Sequence, residues 1–142
     1  MKENRGTIVQ VMGPVVDVAF GGGVLPEIKE ALEVELDGKR QVMEVAQHMG
    51  GDTVRCIMLS PSEGLGRGMT VTATGAPISV PVGKGVLGRM FNVLGDTIDE
   101  KGPVDAKESW SIHRQPPAFE QQRPVVEVFE AGIKVIDLLA PY

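Results

Sequence analysis

The sequence predicts a mainly β protein built around a small closed barrel of short strands, and three observations lead there. Apolar residues recur at every second position in several short runs within roughly the first 75 residues, the period of a strand with one buried face. Glycine and proline are dense, 18 and 10 in 142 residues, and punctuate the chain into segments too short for long helices. Hydrophobic residues make up 42% of the chain and aromatics only 4%, so a core can be buried and must be built from Val, Ile, Leu and Met.

Val16, Val18 and Phe20 alternate with Asp17 and Ala19, after a Gly13-Pro14 pair that predicts a bulge or bend. Leu32, Val34 and Leu36 alternate with Glu33 and Glu35. Asp37-Gly38 is a hairpin signal ahead of a strand over 42–46. Gly50-Gly51-Asp52 precedes a strand over 54–59, with Val54, Cys56 and Met58 on one face and Arg55 on the other. A further strand over 69–74 puts Val71 and Ala73 on one face. Five or six such strands predict closure, because a closed sheet has no exposed edges.

From Gly75-Ala76-Pro77 the texture changes. Residues 78–82 read as a short extended piece broken by Pro81. Leu87, Met90, Phe91 and Leu94 fall at i, i+3, i+4 and i+7, one apolar face of a helix. Gly95-Asp96 and the stretch 99–103 read as turns. From Val104 to Arg123 the chain is polar with no clean period, which predicts a surface path. A strand over 125–129 and a short helix carrying Ile133, Ile136 and Leu139, stopped by Pro141, complete the expectation.

Composition excludes several functions. The net charge is −5, with acidic and basic residues interleaved and no Lys/Arg stripe, which argues against nucleic acid as a partner. The lone Cys56 excludes an internal disulfide and any cysteine-rich metal site. No apolar stretch approaches the roughly 18 residues of a membrane span, and no signal segment follows the charged N-terminus.

Candidate chemistry is thin. Gly83-Lys84-Gly85-Val86-Leu87-Gly88 matches G-x-G-x-x-G, with Asp105 17 residues after Gly88, about where a ribose-binding acid would sit. Pro81 interrupts the buried strand such a motif requires, and no βαβ unit surrounds the glycines. A tight turn feeding a helix is the plainer explanation. A phosphate-binding loop needs Gly-Lys followed by Ser or Thr, whose hydroxyl reaches Mg²⁺. Gly38-Lys39 is followed by Arg40 and Gly83-Lys84 by Gly85, so neither pair qualifies. His48 and His113 are 65 residues apart with no second ligand at metal spacing. Cys56 lies on an apolar strand face and reads as a packing thiol. None of Ser60, Ser62, Ser79, Ser109 or Ser111 sits in a nucleophile elbow. Glu33, Glu35 and Asp37 read as a solvated strand face. Arg89 and Arg114 are candidates for anion or interface contacts, or simply exposed arginines.

Six strings in order resemble the β subunits of F-type ATP synthases: Gly6 to Phe20, Glu44 to Met58, Gly64 to Met69, Gly75 to Asp99, Ile112-His113-Arg114 and Gly132 to Tyr142. The wider group of hexameric ATPases, including the synthase α subunit, the vacuolar-type subunits and the flagellar export ATPase, shares part of this pattern. The strings GAPISVPVG, FNVLGDTID and DLLAPY resemble β within that group. The resemblance runs nearly end to end and departs at Gly21-Gly22-Gly23 and at Lys107 to Ser111, read as loop differences.

The resemblance implies a six-stranded closed barrel over 1–78 followed, over 79–142, by the incomplete start of an α/β P-loop nucleotide-binding domain. It implies a part of the catalytic β subunit of a proton-translocating ATP synthase, in which the barrels of α and β subunits hold a hexamer together around a rotating γ stalk. ATP, ADP and Mg²⁺ belong to the parent enzyme. The P-loop, the catalytic glutamate and the adenine-stacking aromatic of that family lie beyond Tyr142, so no catalytic, cofactor-binding or metal residue is expected here, and the chain alone is expected to assemble rather than catalyse. The expected location is the cytoplasmic face of a bacterial plasma membrane, as a peripheral complex and soluble when isolated, with an organelle source also open. A free-standing barrel acting as an adaptor is the alternative from another class.

Overall fold

The computed structural model describes residues 4–22, 24–122 and 127–142. Six strands close into a barrel: β1 (Arg5–Met12), β2 (Val15–Ala19), β3 (Glu30–Leu36), β4 (Lys39–Gly50), β5 (Thr53–Met58) and β6 (Thr70–Pro77). Their order around the barrel is β1-β2-β5-β4-β3-β6, and every neighbouring pair is antiparallel. The mainly β barrel fold expected from the alternation is the fold observed.

The turns follow their residues. Asp37 and Gly38 take φ of 51° and 70° and join Leu36 to its cross-strand partner Lys39. Positive φ at both central positions is the twist-matched hairpin turn that Asp-Gly favours. Gly13-Pro14 is the β1–β2 turn itself, with Gly13 at φ 59°. The β1 irregularity falls earlier, where the register skips Val9 between Ile8 and Gln10. Strand β4 is longer than the expected 42–46, because its far half pairs through His48 to Gly50 with β5.

The interior is aliphatic. Val16, Val18, Leu32, Met43, Val54 and Val71 have no exposed surface and pack as one cluster with Phe20. Each such side chain contributes about 1.5–3 kcal/mol by leaving water. Gly6 is the small residue that admits the ring of Phe20: a Cβ at Gly6 would lie 2.9 Å from two ring carbons and 2.7 Å from Val18 Cγ1.

A second, smaller cluster lies outside the barrel. Ala31 and Val42 are on the outer faces of β3 and β4, and both are buried because Ile78 and Leu94 cover them. The chain thus leaves β6, turns at Ile78, and lays part of its later course against the β3–β4 wall.

That later course corrects three expectations. No helix forms over 87–94. Lys84–Val86 is a single 3-10 turn, Gly88 follows at φ 71°, and the Asn92 side-chain carbonyl accepts the amides of Leu94 and Asp96. Such a side-chain-capped turn outcompetes helix, and Leu87 is left 76% exposed. Residues 108–111, expected within an irregular surface stretch, form strand β8 (Glu108–Ser111), paired antiparallel with β7 (Ser79–Val82). Both strands of a two-stranded sheet are edges, so Pro81 is accommodated opposite Ser109. The strand expected over 125–129 lies partly outside the described residues, and within them 127–129 form no ladder; the Phe129 amide donates to the Tyr142 carbonyl at 2.7 Å. The terminal helix α1 (Lys134–Leu139) forms where expected and ends before Pro141.

Candidate functional site on the barrel wall

The residues singled out for chemistry are dispersed by the fold. Gly83 to Gly88 make a tight turn with no helix behind it, and a Cβ on Gly85 would overlap the Asp105 carbonyl. Asp105 therefore does come beside the glycines, but it is backbone that makes the close approach. Together with Lys84, Lys107 and Glu108 it lines an open cavity of about 380 Å³. Gly38-Lys39 sits in the β3–β4 hairpin, at the opposite end of that hairpin's strands from the buried wall. Neither Gly-Lys pair faces a helix N-terminus of the kind that holds phosphate.

Both histidines, both arginines and Glu33 have a structural partner, and Cys56 is enclosed in the core. The ring Nε2 of His48 is 2.8 Å from the Pro26 carbonyl, and His113 Nε2 is 2.7 Å from Glu44 Oε2. Cys56 is fully buried, and burial, helped by the nearby negative Asp17, pushes its thiol up to about 12. Arg89 is not an exposed arginine: it donates through Nε and a terminal amine to both oxygens of Asp99, at 2.6 and 3.0 Å, and also reaches the Gly102 carbonyl. Asp99 accepts the Met90 and Lys101 amides as well, and these bonds, the Arg89 contact first, hold its carboxyl far below the ordinary carboxylate range. The pair closes the 89–103 loop. Arg114 lies over the Trp110 ring, 3.7 Å from its centroid, a cation–π contact. Of the acidic strand face, Glu33 pairs with Arg40 at 3.1 Å. Among the described residues, no three His, Cys, Asp or Glu side chains converge as a metal site.

Two acids that the alternation alone did not single out prove structural. Glu30 accepts the Gly75 amide on one oxygen and the Glu27 amide on the other, so it ties the loop before β3 to the end of β6. Glu44 stands on the outer wall with Ala31 and Ile57 as its cross-strand partners. No signal in the linear order pairs Glu44 with His113.

The register then defines one continuous surface. Reading outward-facing residues across the strands, Met12 pairs with Val15, Val15 with Ile57 and Ile57 with Glu44. The adjacent row runs Gln10, Asp17, Arg55 and Gln47. On one side of Glu44 the wall is buried under Ile78 and Leu94; on the other it is open, with Met12 43% and Ile57 46% exposed. An apolar row bounded by a paired Asp–Arg row, on a rigid sheet, has the chemistry of a protein contact: apolar centre and polar edge. Further along, Phe119, Leu138 and Leu139 are each more than 70% exposed.

Compared with known proteins, residues 8–75 match the model of the ATP synthase alpha/beta family, beta-barrel domain. The match begins within β1 and ends within β6, so it takes in all six barrel strands. The match covers just under half of the chain and is to the barrel domain.

Proposed function

We propose that this chain is the N-terminal part of the β subunit of an F-type ATP synthase, and that its role is to join α and β subunits into a hexamer through the outer wall of the barrel. The observation that carries the reading is the open apolar row Met12–Val15–Ile57 on a barrel of the alpha/beta family. The choice of β within the family rests on the strings GAPISVPVG, FNVLGDTID and DLLAPY. In this reading residues 1–78 are the assembly domain and 79–142 the opening of a nucleotide-binding domain. ATP, ADP and Mg²⁺ are handled by the parent enzyme outside this chain, the γ stalk is a partner of the assembled complex, and the membrane is reached only through that complex.

The test is co-assembly with purified ATP synthase α subunit, followed by size-exclusion chromatography and native mass spectrometry. The wild-type chain is expected in mixed oligomers. Ile57→Arg should keep the barrel's circular dichroism and abolish mixed oligomers, because a charge in an apolar contact is left unpaired. Mixed oligomers that persist undiminished in Ile57→Arg would remove the row from the interface.

An adaptor function is a second reading, favoured by the way Ile78, Leu94 and His113 fold back onto the barrel. Limited proteolysis separates the two. An adaptor keeps 79–142 protected throughout, whereas the β-subunit reading expects cleavage beyond Phe119, where apolar side chains stand exposed.

A further inference from the structure

We infer that the Glu44–His113 pair is a latch that fastens the segment 78–113 onto the β3–β4 wall and fixes its orientation relative to the barrel. The inference stands independently of the assembly reading. Three side chains of the segment make the docking contact. Ile78 and Leu94 provide the apolar part, over Ala31 and Val42. His113 provides the directional part, with its Nε2–H donating to the Glu44 carboxylate at 2.7 Å across 69 residues of sequence. An apolar contact of two side chains on two others permits sliding, since dispersion and burial have no preferred direction. A short hydrogen bond to a charged acceptor does not.

The latch is braced on both sides. On the segment, the His113 amide donates to Ser111 Oγ at 3.1 Å, and the Ile112 amide donates to the Ile78 carbonyl at 3.0 Å, extending the β7–β8 ladder. The imidazole is therefore delivered from a turn anchored to the same Ile78 that seats the apolar contact. On the barrel, Glu44 lies mid-strand between Ala31 and Ile57, so its position is set by two ladders. Both partners are three-quarters shielded, His113 at 28% and Glu44 at 23% side-chain exposure, so water competes weakly for the bond. Glu44 is the cross-strand neighbour of Ile57, the end of the open apolar row, so the latch marks where the covered wall gives way to the open one.

The test uses the full chain and two variants, Glu44→Ala and His113→Ala. Methyl NOEs between Leu94 and Val42 report docking, and amide exchange at Val54 and Cys56 reports the barrel. Each single variant is expected to weaken the Leu94–Val42 NOE and to raise the rate of proteolysis between 79 and 113 by about tenfold, the change that loss of a charge-assisted hydrogen bond produces. Barrel amide protection should not change, and the double variant should be no worse than either single one. Unchanged NOEs and proteolysis in both single variants would overturn the latch, as would additive effects in the double. If Glu44→Ala disturbs the barrel amides, His113→Ala, which lies outside the barrel, still decides the question.

Discussion

Arg55 grips Asp17 with two parallel hydrogen bonds, Nε to Oδ1 at 2.8 Å and a terminal amine to Oδ2 at 2.9 Å, from directly opposite positions on β5 and β2. The hydrogen bonds from Arg55 hold the Asp17 carboxyl below the usual carboxylate range, with burial opposing them. A depressed folded-state value means that the pair's stabilisation is complete above the unfolded carboxylate value near 4 and is lost as pH falls below it. Asp17→Asn should therefore lower the thermal midpoint by a few degrees at pH 7. The gap between wild type and variant should stay constant from pH 7 to 5 and shrink below about pH 4, measured by circular dichroism melts.

Gly6 lies within strand β1, away from any turn, and has no room for a side chain. A methyl group there would press on Val18 and on the Phe20 ring, both fully buried and unable to move away. Gly6→Ala is expected to cost about 1–3 kcal/mol, the usual range for overpacking, in a denaturant titration. Pairing it with Phe20→Leu should recover part of that loss, because the smaller side chain vacates the space. An unaffected Gly6→Ala variant would mean that the Phe20 ring does not rest on Gly6.

Cys56 should be inert in the native protein. With its thiol pushed up to about 12 by burial, almost none is ionised at pH 8, and the sulfur has no path to solvent. A disulfide reagent at pH 8 is expected to react at the rate of global unfolding and to react at once in denaturant. Fast labelling of the native chain would contradict the closed, filled interior.

Nucleotide binding is expected to be undetectable by calorimetry with ATP and Mg²⁺. Lys39 sits in a hairpin and Lys84 in a 3-10 turn, each followed by a residue without the hydroxyl that phosphate-bound Mg²⁺ requires. Binding at micromolar concentration would require a site other than either Gly-Lys pair.

Alternation of period two, Asp37-Gly38 and the glycine-proline punctuation made the barrel legible in the linear chain, because strand pairing with one buried face leaves a local mark at every second residue. The same local logic failed over 87–94. The apolar spacing there is helical, yet the chain is turned by the backbone of Gly88, by the Asn92 side chain and by the Arg89–Asp99 pair, whose partner lies ten residues away. Strand β8 left no mark either, since a single ladder with β7 needs no buried alternation.

By itself the sequence determined the closed barrel, its aliphatic interior and the absence of a phosphate-binding Gly-Lys-Ser/Thr, for these depend on residue type and near neighbours. Only the tertiary structure decided what the outer wall does. Whether Ala31 and Val42 are covered, whether Met12 and Ile57 stay open, and whether Glu44 meets His113 are set by how the chain returns after Ile78. Outward-facing residues of a barrel share one period and one set of residue types, so nothing local separates a wall that is covered from a wall that is free.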